Sequence, residues 1–455
     1  MGDVKDGQLC APHVVRRVLE EQGWRETTSD ADWHLFWKSG RFTVGEYDRR
    51  RGAHQRLNHF AKSGKLCCKD SLVRVMRCCK ATHGSAFDFV PESYLLPNEY
   101  NKFMRAYSAS RDLDRETLWI CKPSDLSRGK KIFIMKDIRE LVYDCSTVIQ
   151  RYMHQPMLIG GYKFDLRVYV LVTSCHPLRI HLFQDGLCRF GTQPYSNDTY
   201  QDIFAHLTNY AINKDSPTYA DVKDVIGSNN KWTLRTLYDY LRRAQGVDVE
   251  RVLRKMKSLI VLTLLALPGI VPQQSSGTCF ELFGFDIILD AKSKPWLLEI
   301  NTSPALNIDT YEDEEVKVPL IRDLISAVGF GQVEGGGGGA GGGRVGTGGA
   351  SKRLPSWQAH KRAGACDAFE PHHHGQFEQI FPFNDTTHAL AGKLARQDGT
   401  GENTAAIKQV IAELRAWSKA ASREAKAAAK AKDAASGAGN AQPQPGKLVR
   451  TTRVR

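Results

Sequence analysis

Apolar residues follow two periods along the first 330 residues of the chain. Alternating or continuous runs rich in Val, Ile, Phe and Tyr predict strands, and apolar positions three or four apart predict helices. The predicted strands are 118–123, 131–135, 147–153, 164–174, 179–191, 281–290 and 296–301, and the predicted helices are 69–80, 231–244 and 247–267. Strands mixed with helices in this way indicate an α/β or α+β fold.

The composition changes after residue 330. Residues 334–350, EGGGGGAGGGRVGTGGA, are typical of a flexible linker, and the three consecutive His residues at 372–374 predict a loop. Residues 403–435 predict one long helix with an apolar face. The helix carries a basic stripe formed by Arg415, Lys419, Arg423, Lys426 and Lys430. This stripe either binds an acidic surface or is simply the solvated face of the helix.

The net charge of +13 favours an acidic partner, which could be nucleic acid, an anionic membrane or an acidic protein surface. Nucleic acid is not expected, because no motif interleaves aromatic and basic residues. A membrane is not expected as a partner either. The most apolar segment, 259–271, is too short to span a bilayer and predicts a buried helix. No signal peptide is visible, and 11 cysteines without a CxxC motif indicate reduced thiols.

Two carboxylates and an amide interrupt the predicted hairpin 281–301. Glu299 and Asn301 share one face of their strand, together with Leu297, because residues two apart point the same way. If the pairing aligns the faces, Asp286 joins them from the preceding strand. Such hard oxygen ligands suit Mg²⁺, which usually also takes phosphate oxygens. The alternative is an exposed hairpin face on which polar residues need no explanation.

A second group of charges alternates along the predicted strand 164–174. Lys163, Asp165 and Arg167 share one face, and Arg189 lies on the next strand. Arginine forks match carboxylates and phosphates, so these residues predict a polar cavity over a sheet or, alternatively, a surface ladder of ion pairs. The loop in 119–132 could fold over phosphates or be a plain hairpin turn.

The ordered motifs of the chain resemble the tubulin tyrosine ligase-like family, and the polyglutamylase members in particular. The resemblance covers roughly residues 12–330 and resumes at 377–387, FEQIFPFNDTT. It is carried by NHFAKSGKLCCKDSLVR (58–74), FDFVPESYLLP (87–97), WICKPSDLSRG (119–129), VIQRYMHQPMLIGGYKFDLRVYVLVTS (148–174), GLCRFGTQPY (186–195), AHLTNYAINK (205–214) and CFELFGFDIILDAKSKPWLLEINTSPAL (279–306).

The resemblance implies an ATP-grasp fold with a three-part ligase core, and the composition adds a Gly-rich linker and a basic, partly helical tail after it. The corresponding division is an N-terminal α/β domain at 1–75, a central domain at 76–158, a C-terminal domain with the metal site at 159–330, the linker at 331–350 and the tail at 351–455. It also implies ATP-dependent ligation of free glutamate, through an acylphosphate, to glutamate side chains of tubulin C-terminal tails. We expect a cytoplasmic, cytoskeleton-associated monomer, with the cilium, axoneme or basal body as its place of action.

The resemblance implies roles for individual residues, with ATP and Mg²⁺ as cofactors. Lys69 and Lys122 match phosphate-contacting lysines, and Arg167 and Arg189 match arginines near the transferred phosphoryl group and the amino-acid carboxylate, so Lys69, Arg167 and Arg189 are the candidate catalytic residues. The remaining candidates are the adenine hinge Gln150, Arg151, Tyr152 and Met153, the ATP contacts Lys163, Asp165, Thr208 and Asn209, and the metal ligands Asp286, Glu299 and Asn301.

One position departs from the family pattern. Lys131 stands where members often have a second Gly in the phosphate loop. This lysine either strains a backbone that needs a positive φ or adds a cation for phosphate.

Alternative functions of the protein are a glycylase, a ligase for another acidic protein, or a catalytically idle protein that binds microtubules or axonemes.

Overall fold

The computed structural model describes residues 3–5, 11–49, 52, 54–112, 117–124, 126, 129–217, 226–227, 230–275, 277–330, 373–394 and 402–437. The expected mixed α/β architecture is confirmed. The strands are β1 Asp3–Lys5, β2 Arg25–Thr27, β3 Leu35–Phe36, β4 Arg56–Leu57, β5 Ser93–Leu96, β6 Trp119–Pro123, β7 Phe133–Met135, β8 Thr147–Arg151, β9 Leu158–Ile159, β10 Tyr162–Cys175, β11 Leu178–Phe190, β12 Lys231–Thr233, β13 Glu281–Leu289, β14 Pro295–Asn301, β15 His373–His374 and β16 Phe377–Phe381.

Helices of four to 36 residues connect and cover these strands. They are α1 His13–Glu21, α2 Val44–Asp48, α3 Gly64–Cys67, α4 Lys69–His83, α5 Tyr100–Asp112, α6 Ile203–His206, α7 Tyr210–Asn213, α8 Leu234–Ala244, α9 Val249–Leu264, α10 Tyr311–Val328, α11 Asp385–Leu394 and α12 Glu402–Gly437. In the part of the chain that the structure covers, no helix is both long and apolar enough to cross a bilayer.

The strands form three sheets. The N-terminal sheet is parallel, in the order β2-β1-β3-β4, and the central sheet is antiparallel, in the order β5-β8-β6-β7. The large sheet is antiparallel, in the order β14-β13-β10-β11-β16-β15, and β9 and β12 pair with β10 and β11.

The alternation of side chains along β10 assigns the two faces of the large sheet. Leu166 and Val168 belong to the core that also contains the buried residues of α8 and α9. Tyr169 and Leu171 point the other way and pack in the core that contains α10. Because Lys163, Asp165 and Arg167 share the face of Tyr169, the charged half of β10 continues a face whose other half is apolar.

A buried carboxylate connects the N-terminal region to the large sheet. Glu281, at the start of β13, contacts His59 Nδ1 at 2.7 Å and accepts hydrogen bonds from the Phe60 amide at 2.8 Å and Ser63 Oγ at 2.7 Å. Burial opposes a charge on His59, but the Glu281 carboxylate outweighs it and raises the His59 pKa. This contact fixes the segment that leads into α4, whose first residue is Lys69.

The described residues beyond the Gly-rich segment, 373–394 and 402–437, belong to the fold. β16 pairs with β11 inside the large sheet, and α12 buries Ile407, Val410 and Leu414 in the core that contains α9. The predicted long helix is therefore confirmed, with Arg415, Lys419 and Arg423 exposed along it. The side chains of Lys426 and Lys430 lie outside the described residues, as does the predicted linker.

Two predicted elements were wrong in detail. The His-rich loop is wrong at His373–His374, which form β15 and pair with Phe377 and Glu378 across a tight turn. The helix predicted from residue 231 begins at Leu234, because Lys231–Thr233 pair with β11 as β12. Thr233 then caps the helix, since its Oγ1 accepts a hydrogen bond from the Thr236 amide at 3.2 Å.

Candidate functional site

A cleft of about 810 Å³ lies between the central sheet and the large sheet. Most of the residues singled out from the sequence line it, namely Lys69, Lys122, Gln150, Arg151, Tyr152, Met153, Lys163, Asp165, Thr208, Asn209, Asp286 and Glu299. The other three, Arg167, Arg189 and Asn301, contact residues of the lining instead.

A buried layer of ion pairs forms the floor of the cleft. Arg167 donates to both oxygens of Asp286, from Nε at 2.6 Å and from Nη2 at 3.0 Å. Arg189 binds Asp165 through Nε at 2.8 Å and also through Nη2, which lies 3.0 Å from Asp286 Oδ2. Asp286 is 2% exposed and Arg167 is 9% exposed. These pairs are therefore not the surface ladder that the sequence left open.

Asp286 and Glu299 face each other across the β13–β14 pair, and their pKa values move in opposite directions. Burial disfavours the charge of Asp286, but the guanidinium groups of Arg167 and Arg189 outweigh it and lower its pKa. Burial and the neighbouring Asp286 charge raise the pKa of Glu299. The exposed-face alternative for this hairpin is excluded, because Asp286 is buried and Glu299 lines the cleft.

A β-bulge at Leu298 corrects the predicted faces of β14. The register pairs Asp286 with Glu299 but Ile287 with Leu297, so Leu298 has no partner on β13. Leu297 therefore points into the core, at 1% exposure, rather than sharing the face of Glu299. Leu298 instead lines the cleft beside Glu299.

Asn301 lies at the end of the same strand. Its Nδ2 is 3.4 Å from the Gly284 carbonyl oxygen and 3.5 Å from Glu299 Oε1. Asp286, Glu299 and Asn301 thus gather hard oxygen atoms on one side of the cleft, a set that fits Mg²⁺. Among the described residues there is no cluster of three or more His, Cys, Asp or Glu side chains that could hold a metal ion on its own. A metal here would need further oxygen ligands, such as water or phosphate.

Lys122 lies on β6 of the central sheet, on the side of the cleft opposite β13 and β14. Lys122 Nζ donates to Gln150 Oε1 at 2.8 Å, and Gln150 Nε2 donates to Ser93 Oγ at 2.9 Å. Burial lowers the pKa of Lys122 to about 8. A lysine that is short of solvent and lacks a carboxylate in contact is well suited to an anionic ligand.

Lys163 belongs to a hydrogen-bonded group at the hinge. Its Nζ donates to Tyr152 Oη at 2.8 Å and to the His206 carbonyl oxygen at 2.7 Å, and Tyr152 Oη lies 2.7 Å from His206 Nδ1. Burial lowers the pKa of Lys163 to about 7. Burial, followed by the Lys163 charge, lowers the pKa of His206 to about 4, so its ring is neutral at pH 7.

Described residues of the loop after β6 contact Lys69 and α7 at the rim of the cleft. Lys69 Nζ donates to the Leu126 carbonyl oxygen at 2.5 Å. Gly129 has a φ of +78°, and a Cβ there would lie 2.4 Å from Ile212 Cδ1. Only glycine fits this contact, which lies beside Asn209.

Lys131 adopts a left-handed backbone conformation, with a φ of +54°. Its Nζ forms an exposed ion pair with Asp144 Oδ2 at 3.0 Å, and the residue does not line the cleft. Of the two consequences considered for this position, the structure favours backbone strain over an extra cation for phosphate.

Several lining residues were missed by sequence reasoning. Ile120, Ile132, Leu207, Ile288 and Leu298 supply apolar walls on which a flat ring can pack. Ile288 could have been found, because it shares the strand face of Asp286. Ile120 could also have been found, because it lies two residues before Lys122 on β6. Ile132 and Leu207 lie on loops and Leu298 at a bulge, where periodicity carries no signal.

A buried cluster behind Arg189 was also missed. Asp313 is fully buried and lies 2.7 Å from both Lys231 Nζ and Lys317 Nζ. It also accepts a hydrogen bond from the Asp309 amide at 3.1 Å, and Lys231 is paired with Arg189 in the sheet. The cluster therefore anchors the segment that follows Asn301 to the strand next to Arg189.

Comparison with known proteins gives a consistent set of relatives. Residues 47–334 match the tubulin-tyrosine ligase family. The chain is 40% identical over 324 residues to the Homo sapiens protein named probable tubulin polyglutamylase TTLL2. The aligned region covers 70% of this chain and 54% of that relative. The chain is also 36% identical over 337 residues to Mus musculus tubulin polyglutamylase TTLL6. That aligned region covers 71% of this chain and 40% of the relative. The chain thus spans about half, or less, of the length of these relatives.

Proposed function

Because the chain belongs to the tubulin-tyrosine ligase family, we propose that it is an ATP-dependent ligase that adds glutamate to glutamate side chains of tubulin C-terminal tails. One observation supports this proposal above the others. The cleft brings two carboxylates and a neighbouring amide near desolvated lysines, as a site for a metal-bound nucleotide requires. The relatives named tubulin polyglutamylases support tubulin as the substrate.

The nucleotide would occupy the cleft with its phosphates toward the charged residues. Lys69, Lys122 and Lys163 supply positive charge for the phosphates, and Asp165, Thr208 and Asn209 supply polar contacts. The hinge from Gln150 through Arg151 and Tyr152 to Met153 offers backbone groups for the adenine edge. Asp286, Glu299 and Asn301 would hold Mg²⁺, which when bound neutralises phosphate charge in phosphoryl transfer.

The proposed reaction has two steps. A glutamate carboxylate oxygen of the tubulin tail attacks the γ-phosphorus of ATP, which releases ADP and leaves an acylphosphate. The amino group of free glutamate then attacks the acyl carbon, loses a proton and expels phosphate, which leaves an amide. Arg167 and Arg189 keep Asp286 ionised and add positive charge where the negative charge develops.

Microtubules are the proposed partner, with α12 as a contact surface. Arg415, Lys419 and Arg423 are exposed along this helix, and tubulin tails are acidic. We propose that the protein acts as a cytoskeleton-associated monomer, in the cytoplasm or on ciliary microtubules.

Incubation of the full chain with microtubules, ATP, Mg²⁺ and an equimolar mixture of glutamate and glycine tests the function. Mass spectrometry of the tubulin tails should show added glutamate, with fragment ions that locate it on a glutamate side chain. Added glycine would instead establish a glycylase. Modification of an added acidic protein but not of tubulin would redirect the substrate, and no addition to either would leave the idle microtubule-binding alternative.

A further inference from the structure

A second cavity, of about 680 Å³, lies beside the nucleotide cleft. It is formed between the edge strand β7 of the central sheet and the segment around Tyr200 and α6. Ile132, His206 and Leu207 line both cavities, so they form a shared wall. Cavities between packed parts of a protein are common sites for small molecules.

The lining of this second cavity is mainly apolar. Ile134 and Ile203 contribute to it, and Ile203 is 41% exposed although it is apolar. A ligand in the cavity would cover hydrocarbon surface that now faces water.

One charged group breaks this apolar lining. Glu140 is the one carboxylate among the described lining residues, and the His206 ring, which also lines the cavity, is neutral at pH 7. Its Oε1 accepts hydrogen bonds from Tyr200 Oη and from the Asp137 amide, both at 3.0 Å. These two contacts hold the carboxylate at the junction of the two sheets. A single carboxylate in an apolar cavity attracts a cation that has a hydrocarbon body.

We propose that this second cavity binds a small apolar amine, with its protonated amino group on Glu140 and its hydrocarbon part against Ile134 and Ile203. The proposal concerns a ligand other than the nucleotide and does not depend on the ligase reaction.

Saturation-transfer NMR on the full chain tests the proposal with 2-phenylethylamine and, as the matched anion, 3-phenylpropionate. A saturating non-hydrolysable ATP analogue with Mg²⁺ occupies the nucleotide cleft in both titrations. We expect saturable binding of the amine, and binding of the carboxylate at least about tenfold weaker.

Two variants locate the bound amine. Glu140→Gln keeps an oxygen acceptor for Tyr200 and should weaken amine binding about tenfold, and Ile203→Trp should weaken it by obstructing the entrance. Asp239→Asn, an exposed carboxylate elsewhere, should leave it unchanged. Equal binding of the two probes, or unaltered amine binding by both cavity variants, would overturn the proposal.

Discussion

Asp286 and Glu299 are cross-strand partners that respond differently to one environment. Asp286 is held in its ionised form by Arg167 and Arg189, whereas the pKa of Glu299 is raised by burial and by Asp286 itself. Asp286 is thus neutralised by fixed cations, and Glu299 is the carboxylate whose charge still needs a partner. We therefore expect Glu299 to contribute more than Asp286 to metal binding.

Glu299→Gln should lower ligase turnover at least about 100-fold, because the amide keeps the shape of the side chain but removes a charged metal ligand. The free energy of unfolding should change little or rise, because the substitution removes a carboxylate whose charge is disfavoured by burial and by Asp286. Turnover at saturating Mg²⁺ and thermal unfolding measure the two effects. Unchanged turnover would show that Glu299 is not a metal ligand.

Leu298→Ala and Ile300→Ala form a matched pair on the same strand. Ile300 is 2% exposed in the core, so its truncation should cost about 2–5 kcal/mol of unfolding free energy. Leu298 lies at the bulge and lines the cleft, so its truncation should cost less stability and should weaken nucleotide binding. Denaturant titration and nucleotide titration of both variants distinguish the two positions.

Nucleotide affinity should fall as the pH rises from about 7 to about 9. In the free protein the pKa values of Lys122 and Lys163 are lowered to about 8 and about 7. Phosphates favour the charged lysines, so binding raises both pKa values and takes up protons. Calorimetry at pH 8 in buffers of different ionisation enthalpy measures this uptake.

The same lysines affect stability with the opposite sign. Their folded pKa values lie below the unfolded value, so the unfolded chain binds more protons between about pH 7 and 10, and these groups make stability rise with pH in that window.

Lys122→Met should reduce the nucleotide affinity at pH 7 and also flatten the pH dependence of that affinity. An affinity of the parent protein that is constant from pH 7 to 9 would contradict the lysine assignment.

Lys131→Gly should stabilise the protein and strengthen nucleotide binding. A left-handed backbone costs a non-glycine residue about 1–2 kcal/mol. Glycine also gives the unfolded chain more conformational entropy, which offsets part of this benefit. The free energy of unfolding should therefore rise by about 0.5–1 kcal/mol. Denaturant titration measures the gain in stability, and ATP titration measures the affinity.

Lys131→Ala is the control for this substitution. It removes the exposed Lys131–Asp144 ion pair, which contributes little, and it keeps the left-handed strain. Equal stability of the alanine and glycine variants would show that the positive φ carries no cost.

Charge reversal of Arg415, Lys419 and Arg423 should weaken microtubule binding about tenfold at low salt and much less at high salt. These residues are exposed, so the fold should be retained. Deletion of 351–455 would be a poor test, because it also removes β16 and the buried face of α12. Co-sedimentation over a salt series measures binding, and salt-independent affinity would assign the helix to the solvated alternative.

Much of the large sheet could be predicted from the sequence. Its long strands have a period of two, which locates Asp165 opposite Arg189 and Asp286 opposite Glu299 once the strands are paired. The resemblance to the tubulin tyrosine ligase-like family and its mixed α/β ATP-grasp fold is confirmed by the family match. The order and spacing of the motifs identified the family, although no single motif is sufficient to do so.

The errors came from local geometry that periodicity does not encode. A bulge adds one residue to β14 and reverses the predicted face of Leu297. His373 and His374 form a strand because a tight turn at Gly375 brings them beside β16, a pairing that the three consecutive His residues do not indicate. The Asp313 cluster could not be read from the sequence, since Lys231 and Asp313 meet only after β12 and α10 pack together.

The pairing of β16 with β11 has a consequence for the order of folding during synthesis. The ribosome must add residues 331–372 after α10 before the strand that covers the edge of β11 emerges. Until then, β11 keeps an unpaired, largely apolar edge at Ile180–Phe183, because β12 covers only Leu187–Arg189, and another chain could occupy the open part. A protein truncated at residue 334, where the family match ends, would keep that edge open permanently. We expect it to aggregate, and a soluble form to require residues through α12.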